Sequence, residues 1–282
     1  MGILAEMFSH AFLVRAIVVG LLVSLCAALL GVNLVLKRYA MIGTGLSHVG
    51  FAAMVIAGAF EFIPNNNFIN DLTISLVVVV AAAFFLLRLN ENSKINGDSA
   101  VALISTSGLA IGVIVMGLTT GITLHICNIL FGSILAMTIF DVYLSIALSV
   151  VVLALFALFY KQLFAVTYDE DFARATGTKV EVYKTLLALL TAVTVVLGMR
   201  MMGALLIASL TLFPAISAMR VCKRFLSVVI TAAVIGLSCF FVGMVFSFEL
   251  NLPPGSTIVG VNLIVYIALS GVSFIRRGGR KA

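Results

Sequence analysis

Nine long apolar runs follow one another along this chain and constrain its fold more than any other sequence feature. A helix that crosses a bilayer needs about 20 apolar residues, and it satisfies its own backbone polar groups in hydrocarbon. Hydrophobic residues make up 63% of the sequence, so little chain remains for a soluble domain. We therefore predict an all-α, polytopic membrane protein of about eight or nine spans, forming one domain over residues 1–282. The runs cover residues 11–36, 41–60, 72–87, 100–118, 139–160, 186–199, 203–219, 225–248 and 258–275.

Basic residues between the runs predict how the chain is oriented in the membrane. Loops rich in Lys and Arg stay on the cytoplasmic side, and the alternate connections of this chain contain almost no basic residues. Nine spans reproduce this alternation, with Arg200 as the exception, and they place the N-terminus outside and the C-terminus inside. The predicted cytoplasmic clusters are Lys37 with Arg38, Arg88 with Lys94, residues 161–184, Arg220 with Lys223 and Arg224, and residues 276–281.

Two features depart from simple spans. The apolar stretch at residues 129–137 is too short to cross a bilayer and follows an outward loop, so we expect a re-entrant half-helix there. The sixth and seventh runs are short, which is typical of interrupted helices that line a transport path.

The longest cytoplasmic loop, residues 161–184, contains the pattern of a short helix. Asp169 and Glu170 suit a helix start, Phe172 and its neighbours can continue it, and Gly177 can end it. The alternative is a solvated loop of mixed charge. The length of the loop favours a docking element outside the membrane.

His48 is the ionisable side chain that the sequence places nearest the middle of the bilayer. It lies roughly 12 Å from the cytoplasmic end of the second run at about 1.5 Å per residue. Intramembrane histidines often mark functional sites, and imidazole binds zinc and other transition metals. Thr44 precedes it by one turn on the same face and could add a hydroxyl. The alternative is a histidine that is hydrogen-bonded between packed helices.

Further soft or borderline metal ligands lie near the outer side of the predicted topology. They are His10, His125 and Cys127, and they could meet an incoming cation, but single residues of this kind in loops are more often incidental. The chain contains no GxxxxGK[ST] phosphate-binding motif and no arrangement of residues typical of an enzyme. Transport without ATP hydrolysis by this chain, and without a bound cofactor, is the natural interpretation. A carrier coupled to protons or ions is the alternative from another class. Such carriers usually need carboxylates or basic residues inside the membrane, whereas Asp98, Asp141 and Glu249 fall at span ends.

Five segments, in order, resemble motifs of the zinc/manganese/iron permease subunits of bacterial ABC transporters, the ABC-3 family. The resemblance extends over nearly the whole chain, and the segments are VLKRYAMIGTGLSHVGFAA from Val35, ILFGSILAMTIFDV from Ile129, YDEDFARATG from Tyr168, MGALLIASLTLFPAISAMR from Met202, and LNLPPGSTIV from Leu250.

The resemblance implies a multi-pass permease subunit of the bacterial plasma membrane that imports a divalent metal, zinc or manganese, or a different cargo. The implied partners are a second copy of the chain, a cytoplasmic ATPase subunit and an external metal-binding protein. Asp169, Glu170, Phe172, Arg174 and Gly177 would then form the segment that contacts the ATPase. His48 and Thr44 would lie on the metal path.

The sequence departs from the family pattern at Thr44, where the family usually has Asp. His48 is thereby left without a neighbouring carboxylate, and two copies of His48 could instead meet across a dimer. Carboxylate suits manganese and imidazole suits zinc, so this departure shifts the expected cargo slightly towards zinc.

Overall fold

The computed structural model describes residues 11–37, 41–61, 76–85, 97–118 and 139–278. Every regular element in these ranges is a helix, which confirms the predicted all-α class. The helices are α1 (Ala11–Leu36), α2 (Ile42–Glu61), α3 (Leu76–Phe85), α4 (Gly97–Leu118), α5 (Ile139–Leu158), α6 (Tyr160–Tyr168), α7 (Glu170–Ala175), α8 (Val180–Met202), α9 (Ala204–Val221), α10 (Phe225–Leu250) and α11 (Pro254–Gly278).

Six of these helices are long and apolar enough to cross a bilayer, namely α1, α4, α8, α9, α10 and α11. The pair α5 and α6 adds a seventh if it counts as one span, although it bends by 69°. The apolar part of α2 and the whole of α3 are shorter. Within the described ranges every apolar run contains a helix, but only six of these helices, or seven with the bent pair, are long and apolar enough to cross a bilayer. The expected number of eight or nine spans is therefore approximate.

The sixth and seventh runs correspond to α8 and α9, and both helices are longer than the runs. The helix α8 begins at Val180, before the apolar run, so Tyr183 and Lys184 belong to its first turns. The two helices are separated by Gly203 alone, which has φ 89° and ψ 157°. A positive φ suits glycine, so the chain breaks at Gly203, whereas residues 200–202, which separate the two runs in the sequence, are part of α8. The predicted re-entrant segment, residues 129–137, lies outside the described residues and stays a prediction.

The helix α1 forms the centre of the bundle and packs against α5, α6, α8, α9 and α10. Glycine permits its close approach to α9, because a Cβ atom on Gly31 would collide with the carbonyl oxygen of Thr211. The helix α2 also reaches this point: a Cβ atom on Gly43 would lie 2.8 Å from the Thr211 hydroxyl oxygen. Thr211 thus lies where α1, α2 and α9 meet.

Candidate functional site

The candidate metal residue His48 lies on α2, where this helix packs against α4. Its Nδ1 atom is 2.6 Å from the Oγ atom of Ser105 on α4, and the imidazole is half-buried. Nδ1 can accept the Ser105 hydroxyl proton or donate its own, according to the tautomer. The structure therefore contains the interhelical hydrogen bond that the sequence leaves open as an alternative.

Small residues bring α2 and α4 together around His48. A Cβ atom on Gly45 would lie 2.7 Å from Val101, and one on Gly108 would lie 3.1 Å from the Cα atom of Val49. Because glycine lacks a Cβ atom, the two backbones can approach each other this closely. The orientation of the imidazole is consequently set by both the hydrogen bond and the packing.

The described residues offer only a sparse ligand set around His48. Thr44 lies one turn earlier and is half-buried, and its carbonyl oxygen accepts a hydrogen bond from the Ser47 hydroxyl at 2.8 Å. No group of three His, Cys, Asp or Glu side chains within these ranges could hold a metal ion. With Nδ1 engaged by Ser105, Nε2 is the nitrogen through which His48 could bind a passing cation. A hydrogen bond on the other ring nitrogen is the usual support of a metal-binding histidine.

The predicted cytoplasmic helix corresponds to α7, six residues long and defined at both ends. The Asp169 carboxylate caps its start by accepting a hydrogen bond from the backbone N–H of Phe172 at 3.0 Å. Its end has the two hydrogen bonds of a Schellman motif, from Gly177 N–H to the Arg174 carbonyl and from Thr178 N–H to the Ala173 carbonyl. Gly177 has φ 82°, as this motif requires.

Glu170, at the start of α7, faces the membrane domain. Its carboxylate lies 2.9 Å from the Lys37 ammonium, which follows α1, and 2.7 Å from the Lys184 ammonium on α8. Partial burial would raise the pKa of Glu170, but the hydrogen bonds and charges of both lysines outweigh it and lower that pKa. Burial in turn lowers the pKa of Lys37, whose side chain is only 6% exposed.

Other predicted coupling residues face the solvent. Phe172 is 65% exposed, a large value for an aromatic side chain on a polar segment. Arg174 is exposed and forms an ion pair with Glu181 of α8 at 3.2 Å. The segment therefore has an inner side, at Glu170, and an outer side around Phe172.

The structure brings together some predicted residues and leaves others untested. His48 and Thr44 share one face of α2, and all five predicted coupling residues lie in or beside α7. His10, His125 and Cys127 lie outside the described residues. Sequence reasoning missed Ser105, Lys37 and Lys184 as partners, because a serine within a span and lysines at span ends are common in membrane proteins.

Comparisons with known proteins cover nearly all of the chain. A family model described as the ABC 3 transport family matches residues 9–273. The manganese import system permease protein ScaB of Streptococcus gordonii is 28% identical over 91% of this chain and 89% of its own. The manganese transport system membrane protein MntC of Listeria monocytogenes is 25% identical over 93% of this chain and 91% of its own.

A solved structure shares the architecture. PsaBC from Streptococcus pneumoniae, in complex with Fab, superposes with a TM-score of 0.80 at 26% identity, covering 94% of this chain and 95% of the matched chain.

Proposed function

Because this chain belongs to the ABC 3 transport family, we propose that it is the membrane-spanning subunit of an ATP-driven importer of a divalent transition metal, with manganese as the cargo. The observation that carries the proposal is similarity, over nine-tenths of the chain, to one protein named as a manganese import permease and to another named as a manganese transport membrane protein. ATP hydrolysis then belongs to a separate cytoplasmic subunit, and metal delivery to an external binding protein.

We assign the cation path to the α2–α4 contact, at His48. A single imidazole holds a cation weakly, and weak binding suits a path that must release its cargo. Two copies of the chain related by a two-fold axis would supply two such imidazoles, so we propose a homodimer. The half-buried position of His48 supports this role, because a fully enclosed side chain could not meet a cation.

Two observations favour different metals as the cargo. The named relatives favour manganese, whereas a ligand set of imidazole and hydroxyl, without carboxylate, favours zinc. We propose manganese because the similarity spans about nine-tenths of the chain, while the ligand argument rests on the one substitution at Thr44. The outer side of α7, with exposed Phe172, is the proposed contact with the ATPase.

The test is uptake of radioactive manganese or zinc into proteoliposomes that contain the permease, its ATPase and its metal-binding protein. We expect ATP-dependent manganese uptake, which His48→Ala abolishes. Ser105→Ala keeps the imidazole but removes its support, and it should weaken apparent metal affinity by about tenfold. Thr44→Asp should raise manganese uptake relative to zinc.

Three outcomes would contradict these assignments. Zinc uptake that clearly exceeds manganese uptake by the parent protein refutes the cargo. Full uptake by His48→Ala removes His48 from the path. Uptake that continues without the ATPase refutes an ATP-driven importer and favours a secondary carrier.

A further inference from the structure

The inner side of α7 forms an ion-pair cluster with the membrane domain, made by Glu170, Lys37 and Lys184. Both carboxylate oxygens of Glu170 are used, Oε1 by Lys37 at 2.9 Å and Oε2 by Lys184 at 2.7 Å. One glutamate on the cytoplasmic helix thus joins the end of α1 to the first turns of α8. These contacts would draw the two helices along whenever α7 moves.

The contact with Lys37 is unusual because that side chain is almost completely enclosed. Lys37 is 6% exposed, while exposed ion pairs are held loosely and contribute little. Glu170 is 37% exposed, so the pair is enclosed at its lysine, and loss of the Glu170 carboxylate would leave the buried Lys37 charge without compensation, which is costly. The Lys37–Glu170 pair is therefore a strong restraint between α7 and α1.

A second polar contact joins the same two regions. The Thr167 hydroxyl at the end of α6 donates to Oδ1 of Asn33, one turn before Lys37 on α1, at 3.2 Å. Both residues are buried. The segment before α7 and α7 itself are thus each attached to the last turn of α1.

The helix that bears His48, α2, is the next described helix after α1. Lys37 follows α1 and Met41 precedes α2, which begins at Ile42, and we call these two residues the α1–α2 corner. Thr211 of α9 touches both helices, through Gly31 on α1 and Gly43 on α2. If the corner moves, the start of α2 must move with it, because otherwise these close contacts would break.

We propose that the Glu170–Lys37 pair is the connection through which movement of α7 reaches the α1–α2 corner and hence the helix bearing His48. Glu170 then acts inwards, as a positioning residue, while the exposed side of α7 meets the ATPase. This inference rests on the proposed function, since it requires an ATPase that moves α7. Lys184 holds the other carboxylate oxygen and restrains α7 against α8.

The test compares Lys37→Met with Lys184→Met in the full complex, in proteoliposomes, measuring both ATP hydrolysis and metal uptake. Each variant removes one lysine from Glu170 and the two are matched in charge and size, while Lys184→Met also removes the 4.0 Å contact of Lys184 with Glu181. We expect Lys37→Met to bind the ATPase and to hydrolyse ATP. It should import about fivefold less metal per ATP hydrolysed, because fivefold is the lower end of the effects that coupled sites typically have on each other. Lys184→Met should keep a ratio closer to that of the parent. The double variant Lys37→Glu with Glu170→Lys exchanges the two charges, and it should recover part of the metal imported per ATP that Lys37→Met loses.

A second readout does not depend on the cargo. Met41 lies at the corner and is 50% exposed, so Met41→Cys, in a chain whose native cysteines are replaced by alanine, reports the position of the corner by thiol labelling. We expect ATP to change its labelling rate in the parent and not with Lys37→Met.

The outcomes separate this inference from the proposed function. A parent complex that imports no metal, yet shows ATP-dependent labelling that Lys37→Met abolishes, refutes the proposed cargo and supports the connection. An unchanged ratio of metal to ATP, or unchanged labelling, in Lys37→Met overturns the connection. Loss of ATPase binding in Lys37→Met also overturns it, because the pair would then shape the docking surface instead.

Discussion

The cap of α7 allows a sharp test of what Asp169 does. An isolated helix of six residues is unstable in water, so α7 depends on its caps and on Glu170. Replacing an N-terminal capping carboxylate by alanine costs about 1 kcal/mol. If the ATPase binds folded α7, Asp169→Ala should weaken that binding by about fivefold, the equivalent of 1 kcal/mol. The dissociation constant is measured with the permease in nanodiscs and the purified ATPase.

Asp169→Asn is the matched control, because it removes the same charge but still caps the helix. Asparagine caps about as well as aspartate, so we expect Asp169→Asn to bind the ATPase with nearly the parent affinity. If Asp169→Asn weakens binding as much as Asp169→Ala does, the negative charge itself contacts the ATPase. The capping explanation would then be refuted.

Three further predictions concern the same elements. Gly177→Ala should weaken ATPase binding by about fivefold, because a positive φ costs alanine about 1 kcal/mol, whereas Gly177→Asn should be milder. Gly31→Ala should destabilise the purified permease by about 2 kcal/mol through overpacking against α9, and Gly260→Ala, which has open space, should not, as measured by thermal unfolding in detergent. The pKa of Glu170 is lowered, so the stability that Glu170 gives over Glu170→Gln should be fully present above the usual glutamate pKa of about 4.3. It should be lost only as pH falls through the lower folded value, and a loss near neutral pH would argue against its two lysine partners.

Much of the fold could be predicted from local patterns in the sequence. The apolar runs specify membrane helices because each span must satisfy its own backbone in hydrocarbon, whatever its neighbours are. The start and end of α7 could be predicted because Asp169 and Gly177 act on backbone groups within a few residues of themselves. The ends of the helices were predicted less accurately. The helix α8 begins before its apolar run, because a helix can continue past its apolar stretch into water.

The candidate metal site was only half predictable. The depth of His48 follows from counting residues along one helix, whereas its partner Ser105 is 57 positions away. The sequence contains many serines in spans, and nothing local distinguishes this one. Only the close approach of α2 and α4 at their small residues brings the hydroxyl to the imidazole.

The sequence by itself determined that this protein is a bundle of membrane helices with one short capped helix, α7, between two of them, since hydrophobicity and capping are local properties. Only the tertiary structure decided which way Glu170 faces. Its partner Lys37, which follows α1, is 133 positions away. The pair forms because α1 packs against α8, which places the ends of both helices near α7. An ion pair between distant residues depends on that packing, and no local pattern in the sequence encodes it.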